Sequence, residues 1–196
     1  MYVLIPSVPE RKERLQFAID CVKRSICNQP IEVVTKINNY EGFVKPMLEM
    51  LDGVNDLVLF IGDDTETTPL AIQRLYDAYC ANFKNNDGIC VPCNGKNDLG
   101  EKVGSHALMH SKTWKDVLHP GYFHNFCDRE WTDIMKYRGK YCYVKDALIV
   151  HHHMEYEPIH KDATYRIGEL SSTKDGELYQ YRKKHGFFRS IYPKDE

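Results

Sequence analysis

Residues Leu57-Val58-Leu59-Phe60-Ile61-Gly62-Asp63-Asp64 form an apolar run that ends on a glycine and two adjacent carboxylates. Five consecutive apolar residues predict a strand that is buried on both faces. Thr68-Pro69 then predicts the start of a helix, with Thr68 as its N-cap. The acidic pair is therefore expected in a short turn at the carboxyl end of a core strand, where open α/β sheets bind their ligands.

Two carboxylates in one turn repel each other, because like charges a few ångströms apart disfavour double ionisation. A divalent cation removes that repulsion, and Mg²⁺ or Mn²⁺ prefers hard oxygen ligands of this kind. The alternative is a solvated turn in which Asp63 or Asp64 only caps the following helix. Both interpretations remain open from these residues alone.

The composition indicates an ordinary globular chain. A length of 196 residues suits one domain, and a formal net charge of −2 gives no basic surface for a polyanion. The sequence has no run of 18 apolar residues, so we expect no membrane span. Its seven cysteines are an odd number in a chain without a signal-peptide pattern. That combination predicts reduced thiols and a cytoplasmic location.

The elements around the acidic turn predict an α/β fold. Residues 2–5 and 31–37 are rich in β-branched residues and predict strands, while 11–27 has the apolar spacing of an amphipathic helix. This strand–helix–strand order predicts a parallel pair with a right-handed crossover. The offset between Ser7 and Glu10 is that of a capping box.

The remaining elements follow the same pattern. Further helices are predicted over 43–51, 69–83, 128–137 and 175–185, and further strands from 89 and over 141–150. Residues 94–104 predict an exposed loop, and 107–114 fits a strand or a helix. We expect residues 1–155 to form the main domain and 156–196 to form a C-terminal extension, flap or lid on it.

Two other clusters carry candidate chemistry. Asp128 and Glu130 open a predicted helix, where a carboxylate is also a common cap. His151-His152-His153 follows a predicted strand, in which successive side chains face opposite ways. His151 and His153 could therefore share one face with the acidic turn, while His152 points away.

These motifs, taken in order, resemble glycosyltransferases of the GT-A fold, in particular the large inverting family 2. Ile5-Pro6-Ser7-Val8-Pro9 with Arg11 resembles the first strand and the nucleotide-contacting loop. Residues 57–64 resemble the strand that ends in the DxD motif, and 126–131 resembles the Glu-Asp motif that opens a helix. Val150-His151 resembles the last strand with its metal-facing histidine. The resemblance implies a Rossmann-like α/β fold, with a mixed, mainly parallel sheet flanked by helices.

The resemblance also implies a site. The donor, a nucleotide-diphosphate sugar with UDP favoured, would contact Pro6, Ser7, Val8, Arg11, Asp63 and Asp64. Mn²⁺ or Mg²⁺ would be held by Asp64, His151 and His153. Asp128 would be the general base of an inverting hexosyl transfer, with Glu130 as its substitute, and a retaining mechanism stays open. The acceptor could be a glycan, a protein or a modified nucleic-acid base.

The sequence departs from the family pattern at two positions and leaves alternative interpretations open. Gly62 replaces the first Asp of DxD, and Cys127 replaces the Glu before Asp128. A nucleotidyltransferase is a rival, although residues 7–14 contain no glycine for a phosphate loop. Cys90-Val91-Pro92-Cys93 has zinc spacing and allows a non-catalytic zinc module. The basic cluster of residues 182–185 with Arg189 is either a solvated helix face or a lid that closes on the diphosphate or touches an anionic acceptor.

Overall fold

A computed structural model gives the structure of this chain and describes residues 1–95, 99–152 and 162–187. The strands are β1 (Tyr2–Ser7), β2 (Glu32–Ile37), β3 (Leu57–Phe60), β4 (Thr65–Thr67), β5 (Ile89–Cys93), β6 (Ala107–His110) and β7 (Tyr141–His151). The helices are α1 (Lys12–Lys23), α2 (Val44–Met50), α3 (Ala71–Asn82), α4 (Leu99–Lys102), α5 (Ser111–Val117), α6 (Cys127–Tyr137) and α7 (Ala163–Lys184). A 3-10 turn covers Pro9–Arg11.

The described strands form one seven-stranded sheet in the order β2-β1-β3-β6-β5-β7-β4. β1 pairs in parallel with β2 and with β3, and β5 pairs in parallel with β7. β6 and β4 run in the opposite direction, because each pairs antiparallel with its neighbours. The predicted α/β class with a mixed, mainly parallel sheet is confirmed, as is the parallel pairing of the first two strands.

β3 is buried on both faces, as its unbroken apolar run predicts. Leu57 and Leu59 point into a core with α1 and α3, while Val58 and Phe60 point into a second core with α2, α5 and α6. This alternation follows from the two-residue period of a strand. Burial of one such side chain stabilises the fold by about 1.5–3 kcal/mol. The acidic turn therefore leaves a strand that both cores hold in place.

Two of the predicted caps are wrong. α3 begins at Ala71, and the Thr68 hydroxyl donates to the Leu148 carbonyl of β7 instead of capping the helix. The reason is β4, an unpredicted strand that pairs antiparallel with β7 and carries the chain past the expected helix start. Ser7 is likewise not a cap, since it belongs to β1 and its hydroxyl donates to Asp63.

Two further boundaries differ from the predictions. The ambiguous residues 107–114 contain both elements, with β6 followed directly by α5. α7 begins at Ala163, well before the predicted start near 175, with Asp162 as its N-cap. Its few buried residues gave no apolar period from which the earlier start could be predicted. The expected domain boundary at 155 lies outside the described residues. None of the described helices is long and apolar enough to cross a membrane.

Candidate active site

A cavity of about 320 Å³ opens where the carboxyl ends of β1, β3 and β7 meet. These three strands run in the same direction, so their ends share one edge of the sheet. The cavity collects the predicted donor-site residues, the predicted base and two of the three predicted metal ligands. They are Pro6, Ser7, Val8, Arg11, Asp63, Asp64, Asp128 and His151.

Asp63 lies at the base of this cavity in a polar cluster. Its Oδ2 accepts from the Ser7 hydroxyl at 2.6 Å, and its Oδ1 accepts from Arg11 Nη1 at 2.8 Å. The Asp63 side chain is only 5% exposed. Burial and the neighbouring charge of Asp64 raise the pKa of Asp63, although Arg11 and Ser7 act in the opposite direction. Asp63 is thus held by β1 and by the turn that follows it.

Asp64 faces the end of β7. Its Oδ1 lies 3.3 Å from His151 Nε2, and its Oδ2 accepts from the Tyr165 hydroxyl at 2.6 Å. The β4–β7 ladder sets this geometry, because it pairs Thr65 with His151. Burial acts to raise the pKa of Asp64, but His151, Arg11 and Tyr165 together lower it well below its usual range. Asp64 is therefore ionised at neutral pH.

Arg11 connects the acidic turn to the start of α7. Its Nη1 binds Asp63, its Nε donates to Asp162 Oδ2 at 2.7 Å, and its guanidinium lies 4.8 Å from the centre of the Tyr165 ring. Asp162 and Tyr165 are site residues that the sequence interpretation missed. Both lie in the polar segment after the histidines, where neither spacing nor composition marked a functional position.

Asp128 lies in the first turn of α6 and reaches the cavity from the other side. Its Oδ1 accepts from the amide of Arg129 at 2.8 Å, and Ser105 also hydrogen-bonds to its carboxylate. Burial raises the pKa of Asp128 above its ordinary value. The preceding Phe126 has a left-handed backbone with φ of 63°, an uncommon state for a bulky residue. Asp128 is thus a carboxylate with increased basicity on the cavity wall.

The structure does not bring Glu130, the proposed substitute base, into the cavity. Its carboxylate accepts from Tyr122 at 2.6 Å and from both Nε and Nη2 of Arg182 at 2.8 Å, and the residue is 1% exposed. The same contact corrects the lid interpretation of the basic cluster, because Arg182 binds Glu130 and Lys183 binds Asp133. These cations hold α7 on α6 and do not face the cavity.

The side chains of His151 and His152 point in different directions, as the alternation of a strand predicts. His151 faces Asp64, whereas His152 Nε2 lies 3.5 Å from Glu66 Oε2. His153 lies outside the described residues, so its place as a ligand stays a prediction. Across residues 1–95, 99–152 and 162–187, no three His, Cys, Asp or Glu side chains form a group that could hold a metal.

Among the residues that the structure describes, the CxxC pair is not part of a group that could hold a metal. Cys90 is fully buried and lies opposite Cys142 in the parallel β5–β7 ladder, while Cys93 follows a register shift. Burial raises the pKa of the Cys90 thiol well above its usual value. Without a metal, a buried thiol of that kind is protonated and packs as a small apolar side chain.

Solved structures with a similar fold include glycosyltransferases. The chain superposes on TarS from S. aureus with a TM-score of 0.54 and 11% identity, over 76% of this chain and 58% of that one. It superposes on the glycosyltransferase GlyE from Streptococcus pneumoniae with a TM-score of 0.54 and 12% identity, over 100% of this chain and 65% of that one. The mannosyltransferase PcManGT from Pyrobaculum calidifontis was solved with GDP-Man and Mn²⁺. Its TM-score with this chain is 0.56 at 10% identity, over 76% of this chain and 56% of that one.

The chain has a GT-A-like glycosyltransferase fold. It spans about three fifths of the length of these three structures, whose sequences share about a tenth of their residues with it. No protein-family model matches the sequence, and no curated protein matches it. The likeness therefore rests on the fold, and the chemistry of this chain has to be argued from its own residues.

Proposed function

We propose that this chain is a metal-dependent glycosyltransferase that moves a hexosyl group from a nucleotide-diphosphate sugar to an acceptor hydroxyl. The observation that supports this most directly is the buried Asp63–Asp64 turn, which faces a cavity together with Arg11 and His151. The turn leaves the carboxyl end of a core strand of a GT-A-like sheet, and such edges bind nucleotides in α/β folds.

The donor side of the cavity is the end of β1 and its following turn. Pro6, Ser7 and Val8 would line the nucleoside, with Asp63 beside the ribose. Arg11 supplies a cation that is always charged and suits phosphate oxygens. Similar structures support a UDP-sugar, since TarS was solved with UDP and with UDP-GlcNAc. UDP is accordingly the nucleotide to test first.

Asp64 and His151 fit a divalent cation as a pair. Asp64 Oδ1 and His151 Nε2 are 3.3 Å apart, close enough for both atoms to bind one ion. Mg²⁺ and Mn²⁺ sites often use one or two protein ligands and complete their shell with substrate phosphates. Two protein donors therefore suffice, and His153 could add a third. When bound, the ion would neutralise the charge that develops on the leaving diphosphate.

Asp128 is the proposed general base. It lines the cavity apart from the Asp64–His151 pair, and its raised pKa makes it a better proton acceptor than an ordinary aspartate. It would take the proton from the acceptor hydroxyl as that oxygen attacks the sugar, with inversion at the anomeric carbon. The start of α7, through Asp162 and Tyr165, would serve as the lid on the donor side.

Isothermal calorimetry of UDP binding with and without Mn²⁺ tests the proposal. Asp64→Ala and His151→Ala should each weaken Mn²⁺-dependent UDP binding at least about tenfold, or about 1.4 kcal/mol. His152→Ala is the matched control, because this neighbour faces Glu66, and it should bind like the wild type. Wild-type affinity in Asp64→Ala would remove the acidic turn from the donor site and refute the proposal.

A further inference from the structure

The loop before α6 is built around a buried carboxylate from a distant helix. Asp175, in the middle of α7, is 3% exposed. It accepts three consecutive backbone N–H groups, those of Phe123 at 3.0 Å, His124 at 2.9 Å and Asn125 at 2.8 Å. Successive N–H groups of this kind make a concavity for an anion. Here the protein fills that concavity with its own side chain.

The same loop leads directly to the proposed base. Phe126 follows the three amides in the left-handed conformation, and Cys127 then begins α6. A strained backbone state of this kind persists only where the surroundings determine it. Those surroundings come from α7. The Phe126 ring stacks on the Tyr179 ring, with the two ring centres 5.7 Å apart, and the side chain of the neighbouring Asn125 donates to the Gly168 carbonyl at 2.6 Å.

We propose that Asp175 is a positioning residue, which fixes the loop at 123–126 and thereby holds the Asp128 carboxylate on the cavity wall. This inference rests on the proposed function, in which Asp128 accepts the acceptor's proton. Without the Asp175 carboxylate the three amides lose their common acceptor, and the turn that orients the start of α6 is released. A base must lie within hydrogen-bond reach of the proton it removes, and a misplacement of about 1 Å can slow a reaction about 100-fold.

A second contact between α6 and α7 provides a control for general stability. Asp133 on α6 accepts from the Tyr179 hydroxyl at 2.8 Å and from Lys183 Nζ at 2.9 Å. It joins the same two helices but does not touch the loop at 123–126. Asparagine at this position still accepts from the Tyr179 hydroxyl but no longer pairs with the Lys183 charge, so Asp133→Asn should loosen the helix contact while Asp128 stays in place.

The first measurement needs no donor. The Asp128 carboxyl is titrated by carbon-13 NMR in the wild type, Asp175→Asn and Asp133→Asn. We expect Asp175→Asn to lower the pKa of Asp128 towards the ordinary aspartate value of about 3.9, because the released carboxylate becomes hydrated. Asp133→Asn should leave the titration unchanged. If Asp175→Asn does not fold, Asp175→Glu keeps the charge but displaces it, and it should move the same titration in the same direction.

The second measurement is UDP release from a panel of UDP-sugars with Mn²⁺. Asp175→Asn should lower kcat about 10- to 100-fold while its UDP affinity stays within about twofold of the wild type. In an Asp128→Asn background the same substitution should have no further effect, because Asp175 acts through Asp128. An unchanged Asp128 titration in the Asp175 variant would overturn the positioning role. A shifted titration with normal UDP release from Asp128→Asn would keep that role and refute Asp128 as the base.

Discussion

Replacement of Arg11 by methionine removes a cation that contacts both Asp63 and Asp162. Methionine matches the chain of arginine as far as Nε but has no guanidinium and no charge, so it keeps the apolar part of the side chain without binding a carboxylate. Arg11 is 7% exposed, and its partner Asp63 is 5% exposed. Removal of one member of such a buried pair costs about 3–5 kcal/mol, because the remaining charge is left without compensation. The contact with Asp162, a bidentate pair whose carboxylate is 21% exposed, is lost as well.

This loss of stability is large enough to measure by thermal unfolding. In a chain of this size, a loss of about 1 kcal/mol in the free energy of unfolding lowers Tm by about 2–4 °C. Arg11→Met should therefore lower Tm by about 6–20 °C. Circular dichroism in EDTA, without nucleotide, measures the shift free of ligand effects. The double variant with Asp63→Asn should recover much of the loss, since it removes the charge that the single variant leaves buried.

The stability lost in Arg11→Met should depend on pH, because the carboxyl of Asp63 titrates. Burial and Asp64 already raise the pKa of Asp63, and loss of Arg11 raises it further. For a carboxyl whose folded pKa lies above its unfolded value of about 3.9, the cost of burying its charge is fully present above the folded pKa. That cost disappears as the pH falls towards the unfolded value. The Tm difference between wild type and Arg11→Met should therefore be smaller at pH 5 than at pH 7.5. A Tm within about 2 °C of the wild type at pH 7.5, or no recovery in the double variant, would refute the argument.

Three more substitutions separate chemistry from stability. Asp128→Asn should lower kcat for UDP release by about 10² to 10⁴ with little change in donor KM or Tm, whereas normal turnover would make Asp128 a structural residue. Glu130→Gln should lower Tm by disrupting the buried Arg182 pair and leave Mn²⁺-dependent UDP affinity unchanged in calorimetry. Gly42→Ala should destabilise the fold by at least 1–2 kcal/mol in urea unfolding, because Gly42 has φ of 77° and a Cβ there would meet the Phe123 carbonyl. Equal stability would mean that the loop moves aside.

The core strand and the amphipathic helices could be predicted from the sequence because their signals are local. The apolar run of β3 and the spacing of Trp131, Ile134 and Met135 in α6 depend only on neighbouring residues, and the structure buries all of them. Thr68 shows the limit of such signals. Its cap pattern was locally correct, but pairing with a strand some eighty residues later gave its hydroxyl another partner.

The candidate site could be predicted only where a motif marked it. The acidic turn, the loop after β1 and His151 follow strands, and strand ends on one edge of a sheet meet by topology. Asp162, Tyr165 and Asp175 belong to a helix whose contacts are polar, so no hydrophobic period indicated which of its residues face the fold. Asp128 and Glu130 are two positions apart on a helix, about 200° around its axis, so only one of them could face the cavity.

The position of β4 in the sheet has a consequence for when the site can form during synthesis. β3 and β4 are consecutive in the chain, yet β4 pairs only with β7 among the described strands, so the acidic turn is closed by the last strand to be made. Until residues 141–151 have left the ribosome, Asp64 has neither the β7 ladder nor His151. Pairings between such distant segments form slowly, since loop closure must precede their contacts. In a nascent chain the proposed cation site would therefore be incomplete, and the proposed metal binding would begin only with the finished sheet.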